Sequence, residues 1–445
     1  MPGLSPAHKV VFGALLCLFL LVTASAFADS QARIVRLSDV QGDVRVDRNT
    51  GQGFEKAFMN LPLTQGAKIQ TRMDARAVVE FEDGATLRIV PASRVLMEQL
   101  SLRDSGTKVS TVAVQDGTVY LNLESVNGNE FTVTAGHEKL ILSEPARVRV
   151  TLGGRDLKVA VLRGKARVSA PSGDVEVAKN QTATFDLANQ DRYELAKDVE
   201  PGAYDQWDKQ ASQYQQRYSK TAYNSYSPYT YGVSDLNYYG SFFNAPGYGM
   251  LWQPYLVGAG WDPFMDGMWA FYPGFGYNWV SAYPWGWTPY HSGSWVFVAP
   301  YGWVWQPGGP WNGFNGIPPV VNAPANFQRP VPPASGQGMV AVNRGPGFNG
   351  AGAHGNRVEV RNNSAGLGVP RGGVANLRDL SQSVEKHGAA TTRVATAPIG
   401  VPAWRTQPGY GSSPIGAGRS SVPQAGPAPG AHASLGAHGG GRSPK

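Results

Sequence analysis

Between Thr221 and Gln328 the chain carries no Lys or Arg, yet 30 of its 48 aromatic residues fall between Tyr223 and Phe314. Those rings are set in a degenerate repeat. Gly249-Met-Leu-Trp252-Gln-Pro254 aligns with Gly276-Tyr-Asn-Trp279-Val-Ser281 and with Gly302-Trp-Val-Trp305-Gln-Pro307, at spacings of 27 and 26. A second register agrees, because the stretch from Trp261 through Gly267 to Trp269 lies over the stretch from Trp287 through Gly293 to Trp295, again 26 apart. Self-similarity at this period marks one supersecondary unit copied and stacked, each copy needing its neighbour to bury its apolar face.

Within the repeat, Trp285 and Trp287 are two residues apart, as are Trp303 and Trp305, and Trp295 and Phe297. On a strand such pairs point to one face, so rows of rings result. An exposed row would stack on sugar rings or a peptide, whereas a buried row is the core of a small β unit, each ring removing about 150–250 Å² from water. A thin repeat without disulfides has to draw its burial from its rings, which assigns most of them to the core. The spare tryptophan of each pair, Trp285 and Trp303, together with Tyr290, are the candidates for an outward binding face.

The N-terminus has the pattern of a secretory signal: Lys9, an apolar run from Val10 to Val22, and small residues ending at Ala28. That places the start of the mature chain near Asp29 and implies export to the periplasm, the outer envelope surface or the extracellular space. Cys17, the single cysteine, lies inside this segment, so disulfides, thiolate metal sites and a cysteine nucleophile are excluded from the mature chain. No later segment approaches the roughly 20 apolar residues of a bilayer helix. The formal charge of +7 is uneven, because the part from Val320 onward holds 12 Lys and Arg against 3 Asp and Glu.

From about Ala32 to Leu187 apolar and polar residues mostly alternate in short runs, among them Ala77–Phe81, Thr86–Ile89, Ser110–Val114, Thr118–Leu123, Arg147–Val150 and Lys158–Val161. Turn signals such as Glu82-Asp83-Gly84, Gln115-Asp116-Gly117 and Gly153-Gly154 separate them. The expectation is an all-β chain: an N-terminal β-sandwich or β-roll over 32–190, a short linking helix over 201–220 and a small aromatic β-repeat module over 223–316. A basic tail rich in Gly, Pro and Ala, 317–445, has too few large apolar residues to offset its ordering entropy and is expected to be disordered, with only Val374–Val384 showing some helical pattern.

The first module resembles the FecR domain of bacterial envelope proteins. The likeness is carried by Gly42-Asp-Val-Arg-Val46, Leu63-Thr-Gln-Gly66-Ala-Lys-Ile69-Gln-Thr71, the run Ala75 to Leu87 with Asp83-Gly84, and Pro91-Ala-Ser93-Arg-Val95. Val161-Leu-Arg-Gly164-Lys-Ala-Arg-Val168 and Val177-Ala-Lys-Asn-Gln181 extend it, so that it spans roughly Arg33 to Phe185. FecR itself relays a signal from an outer-membrane transporter to a cytoplasmic sigma factor. Here a signal-like segment stands where FecR has its cytoplasmic part and membrane span, so the resemblance implies the fold and not that role. The aromatic module is similar to a Trp, Tyr, Pro and Gly-rich domain of unknown function that follows FecR-like domains in secreted bacterial proteins, through Asp235 to Phe243, Tyr248 to Pro254 and Trp285 to Val296. That family brings no activity with it.

Catalytic chemistry finds little support. Before the tail the mature chain holds only His137 and His291 as bases for nucleophilic catalysis. Asp262 and Asp266 are the only carboxylates beside the tryptophan cluster, and a carboxylate pair is what a glycosidase uses, but a turn beside Pro263 and Gly267 explains them equally well. His354, His387, His432 and His438 lack the spacing of a metal site, and no Gly-rich phosphate loop joins a strand to a helix. Nucleic-acid binding would need Lys and Arg among the rings. No cofactor or metal is expected. The reading is a noncatalytic exported envelope protein whose modules dock on glycan, peptidoglycan or an envelope protein; the alternatives are an envelope hydrolase using Asp262 and Asp266, or a passive structural surface protein.

Overall fold

The computed structural model describes residues 33–395, apart from 126–127, 220–231, 312, 315–316, 335–337 and 345–355. The expected signal segment 1–28 and the part of the tail beyond 395 lie outside the described residues.

The first module is built from β1 (Val35–Gln41), β2 (Val44–Asp47), β3 (Phe54–Lys56), β4 (Leu61–Leu63), β5 (Lys68–Thr71) and β6 (Arg76–Glu80). It continues through β7 (Thr86–Ile89), β8 (Arg94–Leu102), β9 (Lys108–Leu123), β10 (Asn129–Ala135), β11 (Glu138–Leu142) and β12 (Ala146–Gly153). β13 (Asp156–Arg163), β14 (Lys165–Ala170), β15 (Gly173–Ala178), β16 (Thr182–Asp186) and β17 (Arg192–Ala196) complete it. One sheet runs β4-β1-β6-β7-β9-β12-β13-β16-β17. The other runs β3-β2-β5-β8-β9-β10-β11-β14-β15, with β9 and β10 its parallel pair. Alternating apolar residues of both sheets, such as Leu37, Val79, Leu121 and Phe185 against Ile69, Val112, Phe131 and Val168, meet in one core. This is the expected sandwich.

β9 corrects one detail. The Gln115-Asp116-Gly117 signal is not a turn between two strands but a bend inside one 16-residue strand, which leaves the second sheet and enters the first. Gly117 makes the bend with φ of +88, and a Cβ there would lie 2.6 Å from the Ala92 carbonyl oxygen, so only glycine fits.

α1 (Asp205–Tyr218) follows, with Asp205 and Asp208 in its first turn, where carboxylates complement the helix dipole. It is no free linker. Trp207 packs on Val78, Val90 and Tyr120 of the first sheet, on the face opposite the sandwich core.

The aromatic module comprises α2 (Val233–Tyr239), β18 (Gly240–Ala245), β19 (Gly249–Pro254), β20 (Asp266–Tyr272), β21 (Gly276–Ser281), α3 (Thr288–His291), β22 (Ser294–Val298) and β23 (Gly302–Gln306). The repeat unit is a β-hairpin: β18–β19, β20–β21 and β22–β23 are its three copies. Each second strand opens on a glycine at positive φ, Gly249, Gly276 or Gly302, and ends near its tryptophan. Twelve residues before each tryptophan a glycine lies within one residue of the first strand's start. A Cβ on Gly240, Gly267 or Gly293 would lie 2.5 Å from Trp252 Cε2, 2.8 Å from Trp279 Cε2 and 2.5 Å from Trp305 Nε1 respectively. The period therefore encodes an indole laid over a cross-strand glycine.

The copies do not simply stack in line. The first and third hairpins join through Trp252 and Trp305 into one sheet, whose far edge takes β24 (Val320–Val321). The middle hairpin leaves them, pairs with β25 (Met339–Asn343), and packs on the sandwich. Met268, Ala270, Tyr272, Val280 and Trp287 belong to the same apolar cluster as the sandwich interior. Across this seam Tyr272 donates to the Pro62 carbonyl at 2.6 Å, Arg48 to the Phe271 carbonyl at 2.6 Å, and Asn60 to the carbonyls of Ser281 and Tyr283 at 3.0 and 2.7 Å.

The expected disorder of the tail from 317 does not hold for its described part. Besides β24 and β25 it forms β26 (Arg357–Arg361), α4 (Leu377–His387) and β27 (Ala389–Arg393). Seven of its apolar residues, Val358, Val360, Ala365, Val369, Val374, Leu377 and Val384, bury against the aromatic cluster, while Val321, Val331 and Val340 stay exposed. Composition averaged over the tail hid this, because the burial is supplied by the rings of another module. α4 is capped by the Asn376 side chain, which accepts from the Asp379 amide, and by Gly388 in the left-handed region.

Candidate functional site

Trp285, Trp303 and Tyr290 do not form an outward face. Their exposures are 0%, 5% and 3%. Trp285 stacks on Tyr283 at 5.0 Å and donates its indole N–H to the Ala365 carbonyl at 2.7 Å. Tyr290 donates its hydroxyl to the Pro263 carbonyl, and Trp303 is held between Phe297 and Phe327 at 5.6 and 4.8 Å. Ala365 and Phe327 belong to the tail, so the cover over Trp285 and Trp303 was not visible from the repeat itself.

The stretch without Lys or Arg contains three carboxylates, Asp235, Asp262 and Asp266. The cations near them come from outside. Asp262 is matched by Arg344 of the tail at 3.1 Å and also accepts the Phe264 amide at 2.8 Å. Asp266 accepts from Tyr283 at 3.3 Å. Burial pushes both carboxyls above the usual carboxylate range, and the negative charge of Asp262 adds to the effect on Asp266. In this geometry the pair works as a turn clamped by Arg344, which also donates to the Phe264 carbonyl at 2.8 Å.

The two histidines lie far apart in role. His291 is buried, its Nδ1 2.8 Å from the Trp287 carbonyl and its ring stacked on Trp311 at 5.0 Å. A carbonyl only accepts, so Nδ1 carries the proton. Burial lowers this imidazole to about 4, keeping it neutral. His137 lies in the β10–β11 turn, 3.2 Å from Asp191. Burial, and after it the charge of Asp191, pushes the neighbouring Glu138 carboxyl up.

Asp235 marks the place where the chain's buried charge concentrates. It accepts from Arg36 of β1, from Arg371 of the tail at 2.6 Å, and from the Tyr214 hydroxyl of α1 at 2.9 Å. Glu80 of β6 lies 3.5 Å from Arg36 and accepts the Gly232 amide at 2.8 Å. Six residues before Tyr214 on α1, Asp208 is fully buried between Arg88, which donates to it, and Arg147 at 3.4 Å. These pairs stitch sandwich, helix, aromatic module and tail together. Beside them opens a cavity of about 1130 Å³, walled by the outer face of β1, β6 and β7, by one side of α1, and by the 366–375 loop.

The sandwich also has an unfinished end. Tyr193 and Leu195 on the edge strand β17 pair with Phe185 and Ala183, which are both fully buried, so all four share the core-facing side. Yet Tyr193 and Leu195 are 42% and 38% exposed. The apolar face runs one strand past its cover.

Residues 67–167 match the FecR protein family, and residues 233–322 match a family of unknown function, DUF6600. The sequence resemblances are thereby met, the first within a FecR-like sandwich that extends beyond the matched span on both sides. No curated protein matches the chain. Two crystal structures of a candidate anti-sigma factor from Parabacteroides distasonis are similar to parts of it. The first has 16% identity and a TM-score of 0.26, covering 29% of this chain and 60% of that one. The second has 13% identity and a TM-score of 0.28, covering 34% of this chain and 75% of that one. Among the described residues no helix is long and apolar enough to cross a membrane.

Proposed function

We propose that the chain is an exported, noncatalytic envelope protein in which the FecR-like sandwich and the DUF6600 module form one rigid docking body for another envelope protein. The observation that carries this reading is the β17 edge. An unpaired strand offers a row of amides and carbonyls to a partner strand, and the exposed Tyr193 and Leu195 add an apolar strip beside it. Aromatic stacking by the DUF6600 module is not part of the proposal, since the candidate rings Trp285, Trp303 and Tyr290 are spent on the interior.

The experiment is retention of envelope proteins from a bacterial membrane and periplasmic fraction on the immobilised full chain. A specific partner should be held by the native chain and lost when Tyr193→Asp and Leu195→Asp are combined, with the thermal midpoint unchanged. Equal retention by the variant would refute the edge as the docking surface. Export is checked separately by fractionation: the chain should appear outside the cytoplasm, shortened by the segment up to about Ala28.

A further inference from the structure

The β17 edge is complementary to itself, and we infer that the envelope protein it docks is a second copy of this chain, joined antiparallel across a twofold axis. The inference rests on the reading of β17 as the docking edge and names its partner.

The other three edge strands of the sandwich are poor templates. β3 and β4 have three residues each, and β4 carries Pro62, whose carbonyl already accepts from Tyr272. β15 is longer, but its outward acids are held within the sheet, Asp174 by Arg167 and Glu176 by Lys165 at 3.5 Å. β17 has none of the devices that blunt an edge. It holds no proline and no bulge against β16, and its inward positions are Tyr193 and Leu195 rather than charges.

Its outward positions carry Arg192 and Glu194, both exposed, and neither side chain has an ion pair or hydrogen bond among the described residues. Asp186, which faces Arg192 across the ladder, lies instead 4.0 Å from Arg155. A twofold axis through Tyr193, perpendicular to the sheet, sets Arg192 of each copy directly opposite the partner's Glu194. Opposed residues on antiparallel strands have Cβ atoms about 4.5–5.5 Å apart, close enough for both pairs to form. Moving the axis one residue either way opposes arginine to arginine or glutamate to glutamate, so charge favours the register at Tyr193. On the inner side that register lays Tyr193 on the partner's Tyr193, with Leu195 of each copy diagonally beside it. The apolar strip, 42% and 38% exposed in the single chain, thereby covers itself. A partner strand of one charge sign would repel one of the two outward side chains, whereas the same strand reversed offers each its opposite.

Sedimentation velocity of the full chain tests this. So short a contact belongs with the weak interfaces that bury less than about 1,200 Å², and the expectation is monomer at about 1 µM and dimer at about 200 µM. Arg192→Glu and Glu194→Arg, each on an exposed side chain, should weaken the dimer tenfold or more with the thermal midpoint unchanged. Mixing these two variants should restore a dimer, because one copy then offers two carboxylates to the other's two guanidinium groups, and so should combining both changes in one chain. The inference is overturned if the native chain stays monomeric at the higher concentration, if the single variants associate as the native chain does, or if the mixture or the double variant stays monomeric. A dimer that persists in the combined Tyr193→Asp and Leu195→Asp variant overturns it as well. A monomeric chain that still retains a different envelope protein through Tyr193 and Leu195 would end this inference and leave the docking proposal standing. The docking proposal fails on another measurement, equal retention by the native chain and the edge variant.

Discussion

Replacing Gly267 by alanine tests what the repeat encodes. The new methyl carbon would lie 2.8 Å from Trp279 Cε2 and 2.7 Å from the Val280 carbonyl oxygen, both closer than real Cβ contacts allow. The indole has nowhere to go: Trp279 is 2% exposed and fixed by Trp269 at 5.4 Å and Phe264 at 5.8 Å. Overpacking of this kind costs about 1–3 kcal/mol. The substitution also removes backbone freedom from the unfolded chain, which returns about 0.4–1 kcal/mol. The net expectation is a loss of about 1–2 kcal/mol, read as a lower urea midpoint by circular dichroism. Trp279→Leu supplies the decisive second leg. With the indole gone the methyl has space, so Gly267→Ala should cost little in that background, and the double-mutant cycle should return a coupling of about 1 kcal/mol or more. Additive effects would refute the glycine–indole pairing as the reason for the period.

Three further outcomes follow from the same structure. His291 is held neutral at about 4 against an ordinary 6.5, so the unfolded chain takes up a proton that the folded one refuses; stability present above pH 6.5 is lost as the pH falls toward 4, by about 3 kcal/mol in all. Urea midpoints from pH 7 to pH 4 should show this loss, and His291→Gln should flatten it. Asp235→Asn leaves Arg36 and Arg371 without their shared carboxylate in a buried setting and should cost about 3–5 kcal/mol, measured in the same way; a loss under about 1 kcal/mol would mean the network contributes little. Ending the chain after Asn343 removes the Ala365 carbonyl from Trp285 and the Val369 carbonyl from the Tyr239 hydroxyl. That truncation should lower the melting temperature and expose the DUF6600 module to limited proteolysis, whereas a passive tail would leave both unchanged.

Strand alternation made the sandwich legible before any coordinates, and the 26–27 spacing made the hairpins legible. What stayed hidden depends on partners distant in sequence. The Gln115-Asp116-Gly117 bend reads locally as a turn, and only the proximity of Ala92 and Ser93 shows why the strand continues through it. Trp285 and Trp303 looked available for a ligand because Ala365 and Phe327, which cover them, sit in a Gly- and Pro-rich tail whose composition argues for disorder. A usable signal was nevertheless present: three acids in a stretch with no Lys or Arg require cations from elsewhere. Arg36, Arg344 and Arg371 are those cations, two of them from the tail. The cavity had no signature at all, since its wall draws on segments from Ser38 to Ala395.

Indole N–H exchange followed by NMR on the intact chain bears most directly on the claim that the rings are the interior of the second module. Trp252, Trp285 and Trp305 donate to the carbonyls of Leu236, Ala365 and Ser292 at 2.9, 2.7 and 2.9 Å, and all three are fully buried. Their indole signals should persist long after transfer to heavy water. Disappearance of all three at the rate of free tryptophan, in a chain whose sandwich amides remain protected, would contradict the account.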